Sequence, residues 1–253
     1  MLASLCEVDA VVVVSEYMRS VLLEARPRLE GRVHLLPRPV RDHRPKFPPA
    51  RETTGAATGI AFAGRITAEK GLAVLVEALG RLGNVGPVEL SIAGPVEDDE
   101  YWSYCQRLER DAVARNAALT VTYLGHLGYQ ATSALLRRSD IVAVPSQWPE
   151  PLGAVAIEAM AVGTPVVASD IGGLGTHLAH GRTGLLVDRS DVTGWTNALE
   201  SPISRPRWAR QLGAQGRRAV RGSTTDAHLH AFDDLVREAR RGRARTPRVS
   251  IAE

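Results

Sequence analysis

Short runs of β-branched and apolar residues alternate along this chain with longer segments of helical periodicity, and this alternation limits the fold more than any other feature. Strands that alternate with helices in this way form a parallel sheet covered by helices on both faces. We therefore predict an α/β protein with a doubly wound, Rossmann-like parallel sheet. The predicted strands are 59–65, 87–94, 119–125, 140–146, 165–170 and 183–188. The predicted helices between them are 71–82, 101–114, 129–139, 153–163 and the segment after Ile171.

The chain divides into five parts by composition and periodicity. Residues 1–40 read as strand, helix and strand, and 41–58 as a proline-rich linker. Residues 59–200 contain the complete sheet, 201–238 two further helices, and 239–253 a basic, flexible tail. About 40 residues are too few to close a sheet of their own. The first part must therefore contact the main domain or something outside this chain.

Composition excludes several classes of function. The 253 residues are 44% hydrophobic and 23% charged, as in an ordinary soluble protein, and no apolar run is long enough to span a bilayer. The start of the chain lacks the features of a secretory signal, so we expect a cytoplasmic protein. The net charge of +3 comes largely from the terminal arginine-rich run. Neither a nucleic-acid surface nor contact with a membrane surface is indicated. Cys6 and Cys105 are too far apart for a Cys-x-x-Cys motif.

In an open parallel sheet, ligands bind beyond the carboxyl ends of the strands, so the residues after each strand are the informative ones. The first such stretch, 63–71, places Gly64 and Arg65 after a strand and Lys70 near the start of the next helix. Two cations beside the amino end of a helix can clamp a diphosphate. The alternative is that both side chains are simply solvated.

The second stretch carries two glutamates eight residues apart. Glu150 stands between two prolines, which restrict the backbone on each side of its carboxylate. Glu158 lies two turns into an otherwise apolar helix, where a carboxylate needs a partner. The two hydroxyls of a ribose are one such partner, and Glu150 can accept hydrogen bonds from sugar hydroxyls further along the same ligand. The alternative is a solvated Glu150 and a Glu158 that pairs within the fold.

The third stretch begins with Gly172 and Gly173, which follow a strand and can bring backbone close to the same ligand. His177 and His180 lie three apart on a predicted helix, without a third ligand nearby, so we expect surface histidines and no metal site. The acidic run 96–100 is predicted to be a solvated loop that leads into a helix. The chain has no Gly-x-Gly-x-x-Gly after a strand and no P-loop, which weakens the case for a dinucleotide enzyme or an NTPase.

The three stretches in this order resemble the donor-binding half of the retaining glycosyltransferases of family 4, which have the GT-B fold. The resemblance rests on GR followed by EKG, then PS, then E-P-x-G with a second Glu eight residues after the first, then GTPVVAS-x-x-GG and TGLLV. It covers nearly the whole chain. The resemblance implies that Glu150 meets hydroxyls of the donor sugar and Glu158 holds the nucleotide ribose. It also implies that Arg65 and Lys70 neutralise the donor pyrophosphate as it leaves.

The resemblance implies further donor contacts from main-chain groups. The backbone around Gly125, His126 and Leu127 would border the base, and Leu152, Gly153 and Ala154 would offer N–H groups near the sugar and phosphate. Gly64, Ser146 and Pro151 belong to the same donor-binding set. The implied ligand is a nucleoside-diphosphate sugar, transferred with retention at the anomeric carbon and without a metal or another cofactor. The acceptor is not identified.

The sequence also departs from the family pattern. Leu152 stands where Phe is usual, Arg38 where Asn is common, and Gly175 and Thr176 replace a frequent Pro-Glu pair, which puts any contact of that Glu in doubt. The N-terminal lobe of the family is missing apart from its last pieces. The first hypothesis is therefore an enzyme whose second lobe comes from a partner subunit or a longer N-terminal stretch. The alternatives are a nucleotide-sugar-binding module without transfer and a Rossmann-like oxidoreductase.

Overall fold

The computed structural model describes residues 8–40 and 57–240. The strands in these ranges are β1 (Val11–Val13), β2 (Val33–Leu35), β3 (Thr58–Ala63), β4 (Val88–Ala93), β5 (Leu119–Tyr123), β6 (Ile141–Val144), β7 (Val166–Ser169) and β8 (Leu185–Val187). The α-helices are α1 (Glu16–Ala25), α2 (Leu72–Leu79), α3 (Asp99–Arg115), α4 (Tyr129–Arg138), α5 (Ala154–Val162), α6 (Val192–Ser204), α7 (Pro206–Ala219) and α8 (Thr225–Arg240). Short 3-10 helices cover Pro27–Leu29, Ala68–Lys70 and Gly172–Thr176.

Strands β3 to β8 form one six-stranded sheet in the order β5-β4-β3-β6-β7-β8, and all of their pairings are parallel. The chain moves outward from β3 through β4 to β5, and then returns to the other side of β3 for β6, β7 and β8. The strand order therefore reverses between β3 and β6, which is where open α/β sheets bind ligands. The predicted doubly wound sheet is confirmed, and the Gly, Ser or Asp residues predicted to close each strand lie in the loops that follow.

Helices cover both faces of the sheet, and neighbouring residues on a strand point to opposite faces, so both sets of side chains are buried. On β3, Ile60 and Phe62 belong to the apolar cluster under α2, α3 and α6, whereas Ala61 belongs to the cluster under α4 and α5. The fully buried Trp195 of α6 contributes to the first cluster. Helix α5 has Ala156, Ile157, Ala159 and Met160 buried in the second.

The first described segment forms a small unit that contacts the main domain. Strands β1 and β2 pair in parallel as a separate two-stranded sheet with its own cluster of buried residues. Ser15 Oγ donates to the carbonyl of Pro151 at 2.5 Å, and Val40 N–H donates to the carbonyl of Ser223 at 2.7 Å. Nδ1 of His228 on α8 lies 3.0 Å from the carbonyl oxygen of Pro37. The segment therefore contacts the main domain, which is one of the two arrangements expected, the other being contact with something outside this chain.

The segment after Ile171 is not the predicted α-helix. It forms the short 3-10 helix over Gly172–Thr176, which ends before His177. The paired glycines are poor helix formers, and Gly172 has the positive φ of 61°. The prediction of two surface histidines is also wrong for His177, whose Nε2 is buried, while His180 is exposed. Burial lowers the pKa of His177 below its ordinary value.

Two boundaries differ from the predicted organisation. Helix α6 runs across residue 200 to Ser204, and α8 includes the first two residues of the predicted tail. The predicted linker over 41–58 lies outside the described residues except for 57 and 58, and so does the tail beyond Arg240. Cys105 is buried, and Cys6 lies outside the described residues. No helix of the described ranges is long and apolar enough to cross a membrane.

Candidate functional site

The loops after β3 and β6 meet at the point where the strand order reverses. The carbonyl oxygen of Glu69 accepts hydrogen bonds from the N–H groups of Gln147 at 2.7 Å and Trp148 at 3.3 Å. Gly71 is the N-cap of α2 and has a φ of 72°, and a Cβ at this position would overlap the carbonyl oxygen of Pro145. The two loops are thus held backbone to backbone. As a result, the predicted residues Arg65 and Lys70 share one edge of the sheet with Ser146 and Glu150.

Lys70, Ser146 and Glu150 form the centre of this cluster. Lys70 Nζ lies 2.5 Å from Oε1 of Glu150, and Ser146 Oγ donates to the same oxygen at 2.7 Å. The side chains of Lys70 and Glu150 are only 25% and 13% exposed, and Ser146 is buried. Water therefore screens this ion pair less than a surface pair. Neither Lys70 nor Glu150 has the freely solvated side chain that was the alternative for each.

Arg65 lies beside this centre with its side chain half exposed. Its guanidinium donates to Oε2 of Glu97 at 2.8 Å and lies 3.8 Å from Oε2 of Glu69. The hydrogen bond and charge of Glu97 raise the pKa of Arg65 above its ordinary value. The acidic run 96–100 is therefore not merely solvated as predicted, because Glu97 pairs with Arg65 and Asp98 caps α3 by accepting from Tyr101 N–H.

The paired glycines after β7 support the loop that carries Glu150. Gly173 N–H donates to the carbonyl oxygen of Glu150 at 2.6 Å. A Cβ at Gly172 would overlap the backbone of Pro149 and Glu150, and a Cβ at Gly173 would overlap the carbonyl of Pro151. The close approach expected from the sequence is therefore made to the Glu150 loop.

Glu158 lines a separate pocket of about 110 Å³. This pocket is bounded by the segment that follows β2, by the start of α4, and by α5 with the residues before it. The lining residues are Arg38, Pro39, Val40, Tyr129, Leu152, Ala154, Ile157 and Glu158. Sequence reasoning missed Tyr129 and treated Arg38 only as a departure from a family Asn. The unusual cation at position 38 was the one sequence feature that could have indicated this part of the pocket.

The remaining predicted residues occupy several places at the carboxyl edge of the sheet. Gly64 follows β3, and Gly125 follows β5 with its carbonyl oxygen accepting from Gly94 N–H at 2.9 Å. His126 is exposed, and Leu127 packs against the cluster under α4 and α5. In the turn before α5, Pro151 is exposed, Leu152 is buried and Gly153 has a φ of 76°.

Gly153 is the N-cap of α5, and no side chain caps this helix end. The first N–H groups of α5, beginning at Ala154, are donors that a ligand can use. Within the described residues, no group of three or more His, Cys, Asp and Glu residues is arranged to hold a metal ion.

The fold and the site together define a doubly wound α/β protein whose candidate site combines two cations, a carboxylate and an open helix end at the reversal of strand order. The chain belongs to the family described as glycosyl transferases group 1, whose model matches residues 46–219.

One curated relative and two solved structures are similar to this chain. It is 34% identical over 211 residues to a glycogen synthase of Mycobacterium tuberculosis, a match that covers 82% of this chain and 49% of that protein. It thus spans about half the length of this curated relative. It matches the sucrose-phosphate synthase of Thermosynechococcus elongatus with a TM-score of 0.78 and 27% identity, over 91% of this chain and 58% of that one. It matches the fold of Anabaena HepE, solved with UDP and glucose, with a TM-score of 0.76 and 19% identity, over 90% and 63% of the two chains.

Proposed function

We propose that this chain is the donor-binding half of a retaining glycosyltransferase of family 4, which transfers a sugar from a nucleoside-diphosphate donor to an acceptor that is not identified. The cluster of Arg65, Lys70 and Glu150 at the switch of the sheet is the observation that carries the proposal. It combines two cations suited to a diphosphate with a carboxylate suited to sugar hydroxyls. The complex of HepE with UDP and glucose supports this ligand class.

The cations act on the leaving group in this proposal. As the bond between the anomeric carbon and the diphosphate breaks, its electron pair moves to the phosphate oxygen. Arg65 and Lys70 stabilise that charge through hydrogen bonds that are already oriented. The amino end of α2 adds the positive end of its helix dipole, although the Ala73 N–H of its first turn already donates to Tyr101 Oη at 3.0 Å. The acceptor oxygen then bonds to the anomeric carbon, and its proton passes to the oxygen of the departing diphosphate.

Donor binding must change the partners of Lys70 and Glu150. The two side chains neutralise each other in the described structure. When Lys70 turns to a phosphate oxygen, the carboxylate of Glu150 becomes available to accept from sugar hydroxyls. Ser146 remains in place to orient it. The same exchange therefore couples diphosphate binding to the positioning of the sugar.

Glu158 is proposed to hold the ribose. Glu158 lines the pocket beside the amino end of α5, where a nucleoside can place its two ribose hydroxyls against this residue. Arg38 and Tyr129 line the same pocket.

The acceptor site is proposed to lie on a second lobe, supplied by a partner subunit or by further chain. The two-stranded sheet of β1 and β2 is the feature that supports this, because so small a parallel sheet is only marginally stable even where its segment contacts the main domain. Val12 of β1 and Val21 of α1 are exposed at 40% and 46%. The alternative function is that of a nucleotide-sugar-binding module that catalyses no transfer.

A thermal-shift screen of nucleotide sugars tests the proposal. At least one nucleoside-diphosphate sugar should raise the melting temperature, while NAD should not. Transfer measured after the second lobe has been supplied then separates the enzyme from the binding module. A shift with NAD alone would contradict the proposed ligand class.

A further inference from the structure

Glu97 reaches Arg65 because the backbone places it there. The register of β3 and β4 pairs Ala63 with Ala93, and after the loop glycines the same offset reappears in a bridge between Ile66 and Val96. Ile66 N–H donates to the carbonyl of Pro95 at 2.8 Å. In this resumed pairing, residue 65 precedes the bridged pair and residue 97 follows it, so the two lie diagonally across the bridge on the same face, and their contact follows from the fold as well as from side-chain choice.

Carboxylates outnumber cations in the cluster that is proposed to bind the diphosphate. Arg65 and Lys70 contribute two positive charges, and Glu69, Glu97 and Glu150 contribute three negative ones, which gives a formal charge of −1. A diphosphate is itself multiply negative. It must therefore displace carboxylates from the cations before it can use them.

Glu97 is well suited to such a displacement. Its bond to Arg65, at 2.8 Å, is the shorter of the two that this guanidinium makes with carboxylates in the described ranges. The side chains of Arg65 and Glu97 are 50% and 43% exposed, so Glu97 can turn into solvent without burying its charge. Glu150, by contrast, is mostly buried and is also held by Ser146.

We propose that Glu97 is an affinity-setting residue that occupies Arg65 in the empty site and competes with the diphosphate of the donor. This inference rests on the proposed function. It predicts that removing the Glu97 carboxylate strengthens binding of the diphosphate. The Glu97→Gln change keeps the side-chain size but removes the charge that competes for Arg65.

Calorimetry with UDP, GDP and ADP tests the inference in four proteins. These are the unmodified chain, Glu97→Gln, Arg65→Ala, and the double variant. Glu97→Gln should bind whichever diphosphate the unmodified chain binds about two- to fivefold more tightly, the range expected for an exposed ion pair. The matching nucleoside should show no change. In the Arg65→Ala background, the Glu97 change should have no effect.

Glu100→Gln is the matched control. It removes the same charge three residues away, in the first turn of α3, and Glu100 is not among the carboxylates that act on Arg65. An equal gain for this variant would overturn the inference in favour of a general charge effect. Unchanged or weaker diphosphate binding by Glu97→Gln would overturn it while leaving the proposed function intact. If the unmodified chain binds none of the three diphosphates, the proposed function falls and the inference falls with it.

Discussion

Replacing Glu150 with Gln separates its proposed role in sugar binding from a purely structural role. The carboxylate lies 2.5 Å from Lys70 Nζ and 2.7 Å from Ser146 Oγ, and only 13% of its side chain is exposed. Gln keeps an acceptor oxygen for Ser146, but it no longer neutralises Lys70. The substitution therefore changes the charge of the site while it preserves most of its shape.

The expected magnitude follows from comparing two ligands. Lys70 must leave Glu150 to bind either a nucleoside diphosphate or the intact sugar nucleotide. The free energy of breaking this ion pair is therefore common to both ligands, and it cancels in the difference between their binding free energies. Only the sugar nucleotide also loses a charge-assisted hydrogen bond to its sugar, worth about 1.5–3 kcal/mol. The preference for the sugar nucleotide over the diphosphate should fall by that amount. The diphosphate itself should bind equally well or up to about 1 kcal/mol more tightly.

Calorimetry with both ligands and thermal melting provide the assay. Loss of the partly buried ion pair costs about 1 kcal/mol of stability, and the melting temperature should fall by about 2–4 °C. Glu100→Gln serves as the control for loss of one negative charge. If the ratio of the two affinities stays the same in Glu150→Gln while melting falls by much more, Glu150 is a structural carboxylate and the reasoning is refuted.

Three further predictions concern the ribose pocket, the loop contact and pH. Glu158→Gln should weaken nucleoside, diphosphate and sugar nucleotide by similar factors in calorimetry, because all three carry the ribose; a lower melting temperature with normal binding would contradict this. Gly71→Ala should melt several degrees lower than Gly86→Ala, since both have positive φ (72° and 84°) but only the first places a Cβ against the carbonyl of Pro145. Burial lowers the pKa of His177 below 6.5. Below that pH the unfolded chain therefore binds a proton that the folded chain does not, and the free energy of unfolding should fall. His177→Asn should flatten this dependence in denaturant titrations, and an unchanged slope would contradict it.

The sequence was sufficient to predict the sheet and the meeting of Arg65, Lys70 and Glu150. Alternation of strand and helix patterns defines a parallel sheet, and the carboxyl ends of neighbouring parallel strands must lie on one edge. Residues that directly follow β3 and β6 therefore had to be close together. Their distances depend on how the two loops are fastened, and the contacts of Glu69 and Gly71 that fasten them carry no periodic signal.

Glu97 and Arg38 show what sequence patterns could not supply. Glu97 meets Arg65 because the pairing of β3 and β4 resumes beyond Gly64 and Gly94, and register across such a break cannot be inferred from hydrophobic alternation. Arg38 enters the Glu158 pocket through the packing of residues 37–40 against α8, a contact between segments that lie far apart in the chain.

The predicted helix after Ile171 failed for a local reason. Apolar residues in this segment have helical spacing, but Gly172 and Gly173 favour close backbone contact over helix formation. Their contact with the Glu150 loop determines the local structure, so a tertiary interaction overrides the periodic signal.

Calorimetric titration of the chain with UDP, GDP and ADP, each at millimolar concentration, tests the central claim most directly. All of the proposed diphosphate contacts lie within the described residues. At least one of these ligands should therefore bind, and Arg65→Ala and Lys70→Ala should each weaken it by about 1.5–3 kcal/mol without affecting the nucleoside. Absence of heat with all three ligands, or equal losses for diphosphate and nucleoside in both variants, would contradict the claim that this site binds the donor.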